Sequence, residues 1–445
     1  MATHRELIRL HLSSGPASAR ELADSIGVSQ PTVSRALLKL GDEILRIGAG
    51  PSIQYALKDY ARRMEALPIY RIDAEGKIRT LGILTPVAPD GFVMSKENGD
   101  AIHSSSMPWW LSDMRPQGFL GRAYVARHAK NLGLPTNLNE WSDTHSLRAL
   151  IAHGHDAVGN LLIGDVARSH FLQMPNPEPL PLSGEVFARL AKEAASGDLP
   201  GSSAGGEQPK FTAFVGANEG AKHVLVKFTA NTHNPVTERW RDLLLSEHLA
   251  LETLRLASIS DTKTQIIDHA MQRFLISHRF DRVGDLGRVA LFSLSALDAE
   301  FVGLGAGGWH IATEKLLRAQ VITTEAFHSA CLLYAFGRLI GNTDMHFGNL
   351  SFMSKHGRPY SLAPVYDMLP MAFAPKVGGD IPNTMTAPLI DNGIDNTTWN
   401  KALVMATNYL TRLESESGFN QSFASCLIAL RASIGAAAIQ IGRLG

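Results

Sequence analysis

Residues 339 to 353, LIGNTDMHFGNLSFM, string an aspartate, a histidine and an asparagine along one short polar stretch between apolar flanks. A connecting loop accepts almost any polar residue, so a stretch this selective constrains the fold to one that presents Asp344 and Asn349, five residues apart, together. The apolar run LAPVYDM then places Asp367 eighteen residues after Asn349. The chain has the material to bury such a segment: of 445 residues, 45% are hydrophobic and 19% charged, the balance of a globular protein. At roughly 150 residues per domain, about three domains are expected.

Lys and Arg together number 42 and so do Asp and Glu, so no global field draws the chain to nucleic acid or membrane, and any such partner needs a local patch. Cys331 and Cys426 are far apart and lack CxxC spacing, which supports neither a disulfide framework nor a zinc site and fits a reducing cytoplasm. The N-terminus MATHRELIRLHLSS alternates charge with aliphatics where a signal peptide needs an unbroken apolar core. No segment reads as a membrane helix, and no membrane partner is expected. The apolar SFASCLIALRASIGAAAIQI near the end reads as core of the C-terminal part.

ARELADSIGVSQPTVSRALLKL predicts two helices and a tight turn. Leu22, Ala23 and Ile26 form the inner face of the first helix, Gly27 ends it, Ser29 is placed to cap the second, and Pro31 lies near its start. Val33, Ala36, Leu37 and Leu40 recur at helical spacing, leaving Gln30, Thr32, Ser34, Arg35 and Lys39 outside, a set suited to base edges and phosphates. EILRIG and IQYALKD alternate around AGPS as a hairpin, so the first 60 or so residues resemble a winged helix-turn-helix that binds DNA. Residues 1–65 hold nine Lys or Arg against seven Asp or Glu, a net of +2, which is mild support. A helical hairpin used for protein contact is the competing reading.

IYRIDAEGKIRTLGILTPVAPDGFVMS alternates like a small sheet with turns at AEG and PDG, and PWWLSDMRPQGFLGRAYVARHAK changes to helix. PGSSAGGEQPKF, residues 200–211, is a small-residue loop whose amides can approach an anion closely, although it lacks the GK[ST] ending of a Walker motif. KHVLVKFTA comes next as a strand carrying Lys227, similar to the strand lysine that holds phosphates in protein kinases. The amphipathic ERWRDLLLSEHLALETLRLA then supplies a glutamate to pair with it: Glu247, with Glu238 and Glu252 competing. FLISHRFDR runs on as a strand at the place where a kinase passes the adenine.

Asp344 and Asn349 have the separation of the base and the metal-binding asparagine in the kinase HRDxxxxN loop, and Asp367 stands where kinases place the DFG aspartate. The carboxylate must take a proton from the attacking hydroxyl while the amide oxygen reaches a cation on the phosphates. The order of loop, Lys, Glu, Asp-x4-Asn and Asp is far more specific than any member alone. With SSAGGEQPK, VLVKF, RFDR, GNTDMHFGN and APVYDM, the chain resembles a HipA-family toxin kinase over about residues 66 to 440.

That resemblance implies a Ser/Thr protein kinase using ATP and Mg2+, acting on a protein substrate, with an antitoxin as a further partner. It places Asp344 as the base and Asn349 and Asp367 as metal ligands. Lys227, Ser203, Ala204, Gly205, Gly206, Gln208, Lys210, His278 and Phe280 would line the ATP site, and Ser203, or its neighbour Ser202, would be autophosphorylated. The family usually carries a glutamate two residues before the Phe of RFDR, where this chain has His278, and its DNA-binding module is normally a separate protein.

The expected architecture is α+β: a winged helix-turn-helix over 1–62, a β-rich and helical subdomain over 66–190, then a two-lobed kinase-like body of 191–282 with phosphate loop and hinge and 283–445 with the catalytic and metal-binding loops. Two other classes compete: a DNA-binding transcription regulator whose kinase-like body binds a ligand without catalysis, and a metal-dependent nuclease built on Asp344, His346 and Asp367. The intact set Lys227, Asp344, Asn349 and Asp367 favours the kinase, and the nuclease leaves the loop and Lys227 unexplained. GLGAGG at Gly303 fits GxGxxG but lacks a βαβ context, so it is expected to be an insertion beside the cleft and no nucleotide site.

Overall fold

Capping chemistry opens the chain. Thr3 and Ser18 each form a capping box with the glutamate three residues on, starting α1 (His4–Leu12) and α2 (Ala19–Ile26). Gly27, at φ 71°, supplies the left-handed turn that separates α2 from α3 (Gln30–Leu40). Ser29 occupies the N-cap position of α3 without capping it through its side chain. Its hydroxyl is 3.0 Å from that of Thr32, and the amides of Thr32 and Val33 donate to its carbonyl instead. β1 (Ala17–Ser18), β2 (Ile44–Ile47) and β3 (Gln54–Leu57) form an antiparallel sheet in the order β1-β3-β2, with Ile8, Leu12, Leu22, Val33, Leu37 and Leu57 in its helical core.

The structure is a computed structural model that describes residues 2–174, 178–195, 208–216 and 220–444. They fall into two units, Met1–Arg115 with Asn139–Pro175, and Pro116–Leu138 with Asn176–Gly445. In the first, the hairpin runs directly into a second sheet. The Ala88 amide donates to the Leu57 carbonyl at 2.8 Å, the Asp59 amide to the Pro86 carbonyl at 3.0 Å, and Arg62 donates to the carbonyls of Val87 and Gly91 at 2.8 and 2.7 Å. These bonds make the segment 1–62 continuous with the second sheet.

That sheet contains β4 (Leu67–Ile72), β5 (Ile78–Val87), β6 (Gly91–Lys96), β7 (Ala101–Ser104) and β8 (Leu161–Ile163), ordered β7-β6-β5-β4-β8. Between β7 and β8 the chain makes α4 (Gly118–Leu132) and α5 (Asp143–His153), and α6 (Gly164–Gln173) comes after β8. Leu67, Ile69, Leu84, Phe92, Leu147, Leu150 and Ile163 make this core. α4 belongs to the other unit because Phe119 is buried there, edge-on to Phe228 at 6.2 Å. The segment 66–190, read from sequence as one subdomain, is thus divided between the units.

The second unit is built on an antiparallel sheet of β9 (Lys210–Val215), β10 (Lys222–Phe228), β11 (Thr264–His269) and β12 (Gln272–His278), ordered β11-β12-β10-β9. α7 (Gly184–Ala195) covers one face, where Phe187 lies 5.9 Å from Phe211 and 5.8 Å from Phe274, above Val224, Val226 and Phe228. The two-residue alternation of β10 sends Lys227 to the opposite face, toward α8 (Pro235–Leu256), whose N-cap Asn234 accepts from the Thr237 amide at 2.9 Å.

Beyond the short pair β13 (Arg282–Val283) and β14 (Gly287–Arg288), the rest is mostly helical. β15 (Ala290–Ser293) leads to α9 (Leu294–Phe301), α10 (Trp309–Arg318) and α11 (Thr324–Leu339), and β16 (Ser351–Ser354) and β17 (Ser361–Leu362) complete a small sheet before α12 (Asn396–Ser415) and α13 (Ala424–Ile441). Residues 303–308 are the connection between α9 and α10, tied to Asp298, whose carboxylate accepts from the amides of Leu304 and Gly305 at 3.1 and 2.7 Å. α13 differs from the expected core helix. It buries Cys426, Leu430, Ile434, Ala437 and Ile441 but leaves Ile428 71% and Ile439 61% exposed. By length and composition alone, Gln421–Ile441 is also apolar enough to cross a membrane, the one such helix among the described residues.

Candidate active site

Lys227 is buried at the centre of the site. Its ammonium donates to both carboxylate oxygens of Glu247 at 2.6 and 2.7 Å and to Asp367. Glu247 shares a helix face with Leu243, Ala250, Leu251 and Leu254, all buried, and so faces the sheet. Glu238 bonds Asn420 at 2.7 Å and Glu252 pairs with Arg255 at 2.7 Å, which removes both as partners of the lysine. That shared apolar stripe was the sequence signal for choosing among the three glutamates.

Burial works against the charge on Lys227, but Asp367 and Glu247 outweigh it and hold its pKa above the ordinary value. Desolvation pushes Glu247 up against the pull of Lys227. Asp367 is held at about 2: burial raises it, but Lys227, Lys210 and His346 prevail. Asp367 also has φ 52°, a left-handed conformation that costs a non-glycine residue on the order of 1–3 kcal/mol. Its amide donates to Glu247 at 3.2 Å and its carbonyl accepts from Asn342 Nδ2 at 3.0 Å, so two neighbours hold the turn.

Asn342 joins the two loops of the site. While its Nδ2 holds Asp367, its Oδ1 accepts from the Asp344 amide at 3.1 Å. Asn349 Nδ2 donates to the Asp344 carbonyl at 2.7 Å, which leaves its amide oxygen available to a cation. His346 Nδ1 accepts from the Gly348 amide at 3.0 Å, so the ring supports the loop. The Trp309 indole donates to the His346 carbonyl at 3.2 Å from outside. The Asp344 carboxyl is shifted up, first by partial burial and then by Asp367, with His346 and Lys227 opposing. Sequence reasoning missed Asn342 and Trp309; an asparagine two residues before an aspartate is the local pattern of an Asx turn and could have flagged the first.

Of the remaining residues expected at an ATP site, Lys210 is paired across the sheet with Lys227. Gln208 Nε2 donates to the Phe228 carbonyl at 2.5 Å. His278 ends β12, and the Phe280 ring stacks on Tyr366 at 6.0 Å, one residue from Asp367. Ser202, Ser203, Ala204, Gly205 and Gly206 lie outside the described residues. On α3, Gln30, Ser34, Arg35 and Lys39 are exposed and Thr32 half-buried, with Leu38 on the same surface at 80% exposure.

Residues 63–172 match the family "YjjJ-like toxin, middle domain", and residues 202–427 match "HipA-like C-terminal domain". The chain is 35% identical to Toxin YjjJ of Escherichia coli K12 over 416 residues, 93% of each chain. The chain belongs to the HipA family of toxins. Its fold is similar to that of HipA of Shewanella oneidensis, solved with HipB and operator DNA, at TM-score 0.56 and 16% identity, covering 85% of this chain and 99% of that one. The α+β body of this family member is therefore kinase-like, and Lys227, Glu247, Asp344, Asn349 and Asp367 lie within its HipA-like domain.

Proposed function

We propose that this HipA-family protein is a toxin kinase that transfers the γ-phosphate of ATP to a serine or threonine of a protein substrate in the cytoplasm. The observation that carries this reading is the convergence of Asp367 on Lys227 and Glu247, with Asn342 linking Asp367 to the Asp344 loop. Carboxylate and amide oxygens from Asp367 and Asn349 form a donor set that suits magnesium, a hard cation. Bound there, magnesium would neutralise phosphate charge during transfer.

Lys227 keeps Glu247 as its partner and exchanges Asp367 for phosphate oxygens. Asp344 orients the acceptor hydroxyl and takes its proton, a task helped by a pKa raised toward working pH. The loop serine, Ser203 or Ser202, is the autophosphorylation site, and its modification turns the enzyme off. The exposed face of α3 binds operator DNA for autoregulation. A separate antitoxin remains a proposed partner, supported by the HipB and DNA complex of the Shewanella protein.

Phosphatase-treated protein, incubated with Mg-ATP beside Asp344→Asn, tests the reading by intact mass and phosphopeptide mapping. Phosphate gained at Ser203 or Ser202 in the unmodified chain, with transfer at least about a hundredfold slower in the variant, is expected. Equal phosphorylation of both would remove Asp344 as the base, and none in either would remove the kinase.

A further inference from the structure

We propose that the cleft beside Asp344 is an acceptor-side subsite in which Arg338 binds a carboxylate of the protein substrate, so that the preferred acceptor is a serine or threonine flanked by Asp or Glu. The inference rests on the kinase reading above and adds the substrate class. A cavity of about 230 Å3 opens to solvent next to the base, lined by Tyr334, Arg338, Thr343, Asp344 and His346 among others. It is smaller than the roughly 300–1,000 Å3 of pockets that take a whole small ligand, and it suits a few side chains of an extended segment.

Arg338 is the anomaly in this cavity. α11 is apolar around it, with Leu333, Ala335, Phe336, Gly337 and Leu339 buried. Arg338 itself is half-buried, and among the described residues it has no carboxylate partner. Other arginines of this unit at similar or greater depth have internal partners: Arg273 meets Asp268, Arg279 and Arg282 meet Asp281, and Arg239 donates to the carbonyls of Phe373 and Pro382. A partly desolvated guanidinium costs free energy until an anion meets its fork of donors. Lys227, assigned to the phosphates in the proposed function, sits in its own network with Glu247 and Asp367, in which Arg338 takes no part.

The geometry assigns the anion to the acceptor. Tyr334 and Arg338 are four residues apart and share one face of α11. The Tyr334 ring is backed by Trp309 at 6.2 Å and His310 at 5.0 Å, so that wall is in place before a substrate arrives. Trp309 also holds the His346 carbonyl, which ties the wall to the catalytic loop. A carboxylate on Arg338 would hold the neighbouring acceptor hydroxyl near Asp344.

The test uses full-length protein and serine-centred peptides carrying Asp, Ala or Lys at each flanking position from −3 to +3, with kcat and KM measured for the unmodified chain, Arg338→Ala, Arg338→Glu and Arg338→Lys. The unmodified chain should favour an Asp-flanked peptide over its Ala counterpart about tenfold in kcat/KM, mainly through KM. Arg338→Ala should bring that ratio within about twofold, and Arg338→Glu should invert the Asp-over-Lys preference. Arg338→Lys keeps the charge and should retain part of the preference, which carries the test if the other variants melt early. No flank preference in the unmodified chain, or an Asp preference surviving in Arg338→Glu, would overturn the subsite while leaving the kinase intact. If the unmodified chain phosphorylates neither its own loop serine nor any peptide, the kinase reading fails and this inference falls with it.

Discussion

Asp367 is where strain and charge meet. A left-handed aspartate beside a buried lysine persists because Asn342 and Glu247 hold its backbone and Lys227 its carboxylate. With a folded pKa of about 2 against an unfolded value near 3.9, it releases its proton more readily in the folded chain, so its stabilising contribution is complete above about pH 4 and is lost as pH falls through 2. Asp367→Asn should therefore flatten the acid limb: the melting midpoint of the unmodified chain should fall more steeply between pH 4 and pH 2 than that of the variant. Parallel curves would show that the carboxylate does not feel Lys227. The aspartate was legible in the sequence from its spacing after Asn349, but its conformation was not, because a residue's φ here depends on partners 25 and 120 positions away.

Helix α8 shows how an element joins distant parts. It presents Glu247 to the sheet and, five residues earlier, Asp242 to the segment after α12. Asp242 Oδ1 accepts from the Asn420 amide at 2.9 Å, while Oδ2 is buried without a hydrogen-bond partner among the described residues. Burial pushes this carboxyl up to about 6, against the Asn420 hydrogen bonds and the charges of Arg273 and Arg239. Its folded pKa lies above the unfolded one, so stability is greatest below about pH 4 and declines as pH rises through 6. Asp242→Asn, which keeps an oxygen for Asn420, should remove a penalty of at most about 3 kcal/mol and raise the melting midpoint by several degrees at pH 7.5, with no gain at pH 4. An equal gain at both values would assign the effect to packing. Elements were most legible where their signals are local: Gly27 ended α2 as expected, and the hairpin formed around AGPS. α13 was misread because apolar composition cannot say how many sides of a helix find partners.

Across the full chain, an exposed polar helix face and a kinase-like body occur in one polypeptide. The proposed DNA contact is tested by Arg35→Ala. That side chain is exposed and its Nε donates to the Pro31 carbonyl at 3.3 Å, so its loss leaves the core untouched. Operator affinity should weaken, and the slope of log K against log salt should fall by about one. Unchanged affinity across salt concentrations would remove α3 as the recognition helix. The family was legible through the resemblance of its motifs, and the order of the candidate site through residue spacing: Asp344 and Asn349 five apart, Asp367 eighteen further on, Lys227 on a strand before them. Folding had to show which of three glutamates meets Lys227, that Asn342 bridges two loops, that α4 leaves its neighbours in sequence for the second unit, and that Arg338 has no carboxylate partner among the described residues. Capping, turns and hydrophobic period act over a few residues. Pairing of buried charges and faces is settled by residues tens to hundreds of positions apart, which come together only in the folded chain.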